Sequence, residues 1–266
     1  MDVDCISFRS TGFFSKLILD YLDQEKSVKN LYSNFPNLEG IKHQIKEKEN
    51  HFPANNREVL SRAIEEQYKN IEASQRTKQN IEALKESKTF TIVTGHQLNL
   101  FTGPLYFLYK IISTINLAKK IEEENPEYKI VPVYWMATED HDFDEINYFN
   151  FRGKKIQWNK EASGAVGRLN TEGLREVFAI LEQELGTSKN ASYLKEVFKN
   201  AYLKHNTLTE ATRYLANEFF SNYGLVIVDG DAKELKQNLI PYAKKDIFQN
   251  VAFTEVSKTI EEIQQT

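Results

Sequence analysis

Cysteine is almost absent from this sequence: its 266 residues hold one, Cys5. No disulfide can form within the chain, and a metal site built from several thiolates is excluded. Such sparing use fits a reducing compartment. Long apolar runs are also missing. No stretch approaches the roughly 18 residues of a membrane-spanning helix, and the opening residues, MDVDCISFRS, lack the apolar centre of a signal peptide. The expectation is a cytoplasmic protein without a membrane partner. Nor is there an excess of positive charge. With 34 Lys and Arg against 38 Asp and Glu, the net charge is −4, which argues against a nucleic-acid partner held by bulk charge. Neither GxxxxGK[ST] nor GxGxxG occurs, so the two familiar glycine-rich phosphate loops are absent.

What is present is ordinary globular composition, 41% hydrophobic and 27% charged, in a chain long enough to bury a core without staples. The first 86 residues read as helical. Phe13-Phe14, Leu17-Ile18 and Tyr21-Leu22 recur at helical spacing, and Asn55 or Asn56 is placed to cap a helix running through Val59, Ala63 and Tyr68. At residue 89 the character changes. Thr89–Thr94 is β-branched and aromatic, ends at Gly95, and reads as a strand. Pro104 then suits a first helical position, and Leu105, Leu108, Ile111-Ile112, Ile115 and Ala118 mark one face of the helix that follows. Lys129–Ala137 is a second strand, apolar enough to be covered on both faces. Pro132 within it argues mildly against a central place in a sheet. Strand, helix and strand make a βαβ unit with a right-handed crossover.

Short β pieces at Ile146–Phe151 and Lys155–Trp158 flank an Arg152-Gly153 turn. Helical patterns follow at Thr171–Leu185, Ala191–Leu203 and Thr207–Tyr223, then a buried strand, Leu225–Val228, and Asp231 as a helix cap. Glu255–Thr266 is amphipathic through Val256, Ile260 and Ile263. Three strands rarely finish a parallel sheet, so the chain reads as the N-terminal part of something longer. The fold class is α/β with a parallel-sheet core. Its expected parts are a helical segment over 1–86, a first βαβ part over 87–151, an inserted connecting segment over 152–206, a continuation of the core over 207–250, and the start of a further helical region over 251–266.

Two loops could carry chemistry. The first runs from Gly95 to Pro104 and joins a strand to a helix start. In open α/β sheets ligands bind beyond the carboxyl ends of strands, and free N–H groups at a helix start suit phosphate or carboxylate. Gly95 and Gly103 would let backbone approach a ligand, and His96, Gln97, Asn99 and Thr102 add polar groups. The plainer reading is a βα connection with a satisfied histidine. The second loop is Thr138-Glu139-Asp140-His141-Asp142, with Asp144 and Glu145 beyond it. Acids crowded this closely shift one another's pKa values. They could hold Mg²⁺ through oxygen, or His141 and one acid could orient and deprotonate an attacking group. An acidic surface turn is the plainer alternative. Asp229-Gly230-Asp231 reads as a turn and cap, and Cys5 has no partner to activate it.

The stretches TFTIVTGHQLNLFTGPLYFLYKIISTINLAKK and VPVYWMATEDHDFDEINYF resemble the signature of the cysteine ligase family of bacillithiol biosynthesis, in which a TG-[HQ]-Q loop runs into FTGPLY and is followed by EDHDF-x-EIN. TGFFSKLILDYL and FFSNYGLVIVDGD are similar to the same family, so the resemblance spans essentially the whole chain. It implies a Rossmann-like core similar to that of class I aminoacyl-tRNA synthetases and nucleotidyltransferases, with inserted segments and a long coiled coil. It implies an activity too: joining cysteine to glucosaminyl-malate through a carbon–nitrogen bond, with ATP and Mg²⁺ as the expected source of activation and a homodimer formed by the coiled coil. His96 falls near the place of the synthetases' HxGH signature, although that full pattern is not present here. The hypothesis of carbon–nitrogen ligation takes His96, Glu139, Asp140 and His141 as its catalytic candidates. Substrate or nucleotide binding falls to Gly95, Gln97, Asn99, Thr102, Gly103 and Asp142, with no resident metal. Family members are about twice this length. Two rival readings stand beside it: a metal-dependent phosphohydrolase built on Asp140-His141-Asp142, and a non-catalytic helical scaffold.

Overall fold

The structure is a computed structural model and describes residues 4–264. Three parallel strands, β1 (Thr89–His96), β2 (Lys129–Met136) and β5 (Val226–Asp229), form a sheet in the order β1-β2-β5. Between β2 and β5 lies an antiparallel hairpin of β3 (Tyr148–Phe151) and β4 (Lys154–Gln157). The chain divides by compactness into two units, one of Pro53–Asn238 and one of Met1–Phe52 with Leu239–Thr266.

In the larger unit the β1–β2 ladder runs for eight residues, from Thr89 opposite Lys129 to His96 opposite Met136. The strand therefore continues past Thr94 through Gly95 and His96. The crossover helix is Tyr106–Glu124, so Pro104 lies just before it rather than at its first position. Its buried face is Phe107, Ile111, Thr114, Ala118 and Ile121, while Leu105 and Ile112 are exposed. The predicted stripe was thus rotated, because Phe107 and Thr114 rather than Leu105 and Ile112 face the sheet. β2 is the central strand despite Pro132. Its ladder to β5 covers only Val133–Met136, so the missing N–H costs nothing on that side.

The free edge of β5 is closed by side chains from two helices, Ala54–Tyr68 and Gln75–Ala83. The Gln67 amide accepts from the Asp229 N–H at 2.8 Å and donates to the Asp229 carbonyl at 3.1 Å, as a neighbouring strand would. The Tyr68 hydroxyl accepts from the Ile227 N–H at 2.8 Å. Thr77 donates to the Leu225 carbonyl, and Asn80 to that of Gly224. Backbone groups at an unpaired edge need partners, and here polar residues at helical spacing provide them. The first of these helices starts at Ala54 behind Pro53, so neither Asn55 nor Asn56 caps it.

Three helices, Leu174–Glu184, Lys189–Lys204 and Leu208–Phe220, fill the connection to β5. The last begins with a capping box of Thr207 and Glu210. The hairpin turn has Arg152 at φ 49° and Gly153 at φ 77°, the left-handed pair that tight hairpins favour. Ile146 belongs to a one-turn helix, Phe143–Ile146, and not to the strand. Asp231 does not cap the next helix, which starts at Lys233 behind Ala232. Its carboxylate instead takes the Arg168 guanidinium at 2.7 Å and the Lys236 ammonium, two cations that outcompete a backbone amide for it.

The smaller unit is helical. Lys16–Leu22 and Leu38–His51 are its longer N-terminal helices, and Ile240–Gln249 and Val251–Gln264 its C-terminal ones. Tyr21, Tyr32 and Phe35 form an aromatic cluster with centroids 5.0–6.3 Å apart. Gly40 lies so close to Phe35 that a Cβ would meet its carbonyl oxygen at 1.9 Å. The amphipathic C-terminal stretch is helical from Val251, with no buried residue; the last two of its predicted positions, 265 and 266, lie outside the described residues. No described helix is long and apolar enough to cross a membrane.

The buried Tyr68 phenol, whose pKa burial pushes up to about 12, offers a check on the closed edge. Tyr68→Phe leaves the Ile227 N–H unsatisfied and should lower unfolding free energy by about 1–3 kcal/mol in urea titrations. An unchanged midpoint would show that this bond carries no weight.

Candidate functional site

Both loops leave the carboxyl edge of the sheet at the same level, because His96 and Met136 are the last ladder pair. The Ala137 N–H continues the pairing by donating to the His96 carbonyl at 3.1 Å. The His96 imidazole is buried, 6% exposed, stacked under Tyr106 at 5.1 Å and edge-on to Phe107 at 5.2 Å. Its Nδ1 lies 3.0 Å from the Gln97 carbonyl. A carbonyl only accepts, so Nδ1 carries the proton. Burial, with a smaller contribution from nearby Lys110, pushes its pKa down. The ring is therefore neutral near pH 7, and Nε2 is an acceptor. Among the described residues that Nε2 has no hydrogen-bond partner.

Gln97 joins the two loops. Its Nε2 donates to Asp140 Oδ2 at 2.9 Å and to Glu145 Oε2 at 2.6 Å. The opposite amide orientation would set a carbonyl against two carboxylates, so the network fixes this one. Asp140 also folds back on its own turn, where Oδ1 accepts from the His141 and Asp142 N–H groups at 2.7 and 3.2 Å. These bonds hold its pKa below the usual carboxylate range, the Gln97 amide being the largest cause. Asn99 reaches the same corner, its Nδ2 3.3 Å from the Glu145 carbonyl. Its own Oδ1 is buried and unpartnered among the described residues.

The Gly95–Pro104 loop is held in an unusual conformation. Phe101, Thr102 and Gly103 all have positive φ, at 51°, 72° and 57°. For the two non-glycine residues this costs on the order of 1–2 kcal/mol each. Burial of Phe101 offsets that cost: its ring packs on Phe149, Phe198 and Tyr202 with centroids 4.6–4.9 Å away, and its N–H donates to the Tyr202 hydroxyl at 2.9 Å. At Gly103 a Cβ would stand 2.4 Å from Asn99 Cβ, so only glycine lets Asn99 lie where it does.

Two cavities open here. One of about 290 Å³ is lined by Gly95, His96, Gln97, Tyr106, Lys110 and Ala137. Lys110, one helical turn beyond Tyr106, brings a positive charge and donates to the Gly95 carbonyl. The other, about 630 Å³, is lined by Gln97, Asn99, Gly103 and Pro104 from the first loop, Glu145 from beyond the second, and Tyr148–Asn150 of the hairpin, besides Leu105 and Tyr106. The structure thus brings Gly95, His96, Gln97, Asn99 and Gly103 together at the cavities. Thr102, Glu139, Asp140, His141 and Asp142 are not among the lining residues described for either; Asp140 is tied in through Gln97. His141 is largely exposed, its side chain 88% accessible with Nδ1 3.9 Å from Asp140. Among the described residues no group of three His, Cys, Asp or Glu stands ready to hold a metal. Asp140 and Glu145 share one partner, the Gln97 amide, and Asp140 folds its other oxygen onto its own turn.

Sequence reasoning missed Lys110, Tyr106 and Tyr202. Tyr106 and Lys110 are spaced i, i+4 on the helix that starts beside the loop, a signal that could have exposed them. Tyr202 sits about a hundred residues from the loop it holds and left no local trace.

An α/β domain with a parallel sheet, a buried histidine at one strand end and an acid-bearing loop at the next defines the class as Rossmann-like. The chain matches, over residues 1–266, the family described as "Bacillithiol biosynthesis BshC, N-terminal Rossmann-like domain". It is 57% identical over 265 residues to a protein of Flavobacterium johnsoniae provisionally named cysteine ligase BshC, covering 100% of this chain and 50% of that one. The corresponding figures are 49% for the like-named protein of Christiangramia forsetii, with 99% and 50% covered, and 31% for that of Bacillus cereus strain G9842, with 93% and 46% covered. The chain therefore belongs to the BshC family, and it spans about half the length of these relatives.

Removing the bridging amide provides a test of the site's electrostatics. In Gln97→Leu the Asp140 carboxyl should titrate closer to the ordinary carboxylate range, as followed by carboxyl carbon NMR. Because the folded pKa is the lower one, Asp140 stabilises the fold fully above the unfolded carboxylate pKa, and that contribution is lost as pH falls through the folded value. A variant titration identical to the parent would rule out Gln97 as the main cause.

Proposed function

We propose that this chain is the Rossmann-like part of an enzyme that joins cysteine to glucosaminyl-malate by forming an amide. Family membership supports the pathway, and the names of the relatives support ligation of cysteine. The observation that carries the chemical reading is His96, a buried neutral imidazole with its Nδ1 committed and its Nε2 free to accept. Amide formation from a carboxylate in water is uphill, and ATP with Mg²⁺ would supply the leaving group. The neutral amine then attacks the activated carbonyl carbon. The C–N bond forms, the C–O bond to the phosphate leaving group breaks, and the amine's proton passes to a base. His96 suits that last step better than Asp140, because its Nε2 is an unengaged acceptor whereas both Asp140 oxygens already accept hydrogen bonds. Asp140, with Glu139 and His141 on the same turn, orients the amine. The backbone of the Gly95–Gly103 loop and the Lys110 ammonium suit a carboxylate or phosphate. Thr102 and Asp142, on the same two loops, are the remaining candidates for substrate binding. A cytoplasmic homodimer acting on small molecules goes with this reading.

Deleting the full-length gene in its host and measuring cellular thiols by mass spectrometry tests the pathway step. Bacillithiol should disappear and glucosaminyl-malate accumulate; unchanged bacillithiol would overturn the reading. Restoring the full-length gene as His96→Asn keeps a donor for the Gln97 carbonyl but removes Nε2. Product formation should then fall by about 10²-fold or more. Near-normal product from His96→Asn would remove His96 from the chemistry.

A further inference from the structure

All three parallel strands end at one level, with His96 beside Met136 and Met136 beside Asp229. Residues paired in register share a face of the sheet, so the Asp229 carboxylate lies on the same side as the His96 ring, two strands away. Adjacent strands stand about 4.8 Å apart, which puts roughly 10 Å between the two backbones. The chain leaving β2 runs out between them as Thr138–Asp142 and is held from both sides. On the β1 side Gln97 takes the Asp140 carboxylate. On the β5 side the buried Thr138 hydroxyl donates to Asp229 Oδ1. Glu139 Oε2 lies 3.4 Å from the same hydroxyl, but a hydroxyl has one proton, and the closer Asp229 oxygen takes it. Two backbone bonds fix the turn further: the Gly167 N–H donates to the Thr138 carbonyl at 2.9 Å, and the Val166 N–H to that of Asp140 at 2.7 Å.

Asp229 is itself rigidly set. Gln67 holds both its N–H and its carbonyl, and Oδ1 also accepts from the Asp231 N–H at 2.9 Å. The buried Arg213 guanidinium donates to the Gln67 carbonyl and to Gln67 Oε1 at 3.1 and 3.0 Å, and it stands 3.8 Å from Asp229 Oδ2. A buried cation needs an anion beside it, and Asp229 is its ion-pair partner. The oxygen that receives Thr138 thus belongs to a charged, immobile acceptor. We infer that Asp229 is a positioning residue for the acidic turn, acting through Thr138. This inference rests on the ligase reading, in which the turn orients the amine, and adds the anchor that holds the turn against the pull of solvent. With the Thr138 hydroxyl gone, Gln97 would be the remaining side-chain tie to another strand end, and a misplacement of about 1 Å in a reacting group costs on the order of 10²-fold in rate.

Thr138→Val keeps the shape of the side chain and removes its hydroxyl, while Thr138→Ser keeps the hydroxyl. Each is placed in the full-length gene and returned to the deletion host, where bacillithiol is measured relative to glucosaminyl-malate at matched protein level. The purified full-length proteins give the carboxyl carbon NMR signal of Asp140. Thr138→Val should lower the product ratio by about tenfold or more and move the Asp140 signal toward that of Gln97→Leu. Thr138→Ser should restore both to parent values, which a loss of general stability would not predict. Thr138→Ala repeats the loss of the hydroxyl with a smaller side chain, in case the second methyl of valine crowds the buried site. A parent-like Asp140 signal in Thr138→Val and Thr138→Ala would overturn the inference, as would a moved signal with undiminished product. A parent gene that fails to restore bacillithiol would instead overturn the ligase reading, and the Asp140 signal alone would then decide whether Asp229 holds the turn.

Discussion

The parallel ladder between β1 and β2 is the constraint on which the rest depends. Eight residues pair without a bulge, and a slip of one residue would turn every side chain to the opposite face. The register sets His96 against Met136, and from there each chain turns out of the sheet at the same height. Gln97 can then span to Asp140 and Glu145, and the Ala137 N–H can close on the His96 carbonyl. Short loops after a long ladder convert strand register directly into site geometry.

Charge in the site is organised by a neutral group. Two carboxylates that lie close would repel, and an arginine between them would cancel one of their two charges. A glutamine amide satisfies one oxygen of each while leaving the negative charge in place. The imidazole next to it is kept neutral by burial under Tyr106. A cation, Lys110, lines the same small cavity as that ring. The carboxyl edge therefore carries negative charge toward the hairpin and positive charge toward the crossover helix, with an uncharged partition of Gln97, Tyr106 and His96.

Much of this was legible in the sequence because its signals are local. β-branched runs marked β1 and β2, the apolar run before Asp229 marked β5, and the two loops were visible as polar stretches after strands. The βα connection placed His96, Gln97 and Asn99 correctly at a strand end. The errors came where distant residues decide. The buried face of Tyr106–Glu124 is set by contact with β1 and β2, so Leu105 and Ile112 could pass for core. Pro132 argued against a central strand, and only the short β5 ladder explains its place there. Asp231 had the right spacing for a cap, but Arg168, far away in sequence, and Lys236 of the next helix claim it. The acidic turn left two roles open, Mg²⁺ binding through oxygen or proton handling, because adjacency in sequence does not say where each side chain points. Asp140 instead looks inward to Gln97, while His141 looks out.

Phe101 links the loop to the intervening helices, and this has a consequence for how the site is inherited. Its left-handed backbone is kept in place by an aromatic nest whose members, Phe198 and Tyr202, come from the Lys189–Lys204 helix, with Phe149 from the hairpin. The segment between β2 and β5 is thus a template against which the ligand loop is moulded. Drift in the size of those rings would reshape the loop without touching a residue in it. The shape of the Gly95–Pro104 loop can therefore be retuned from a helix that is not among the lining of either cavity.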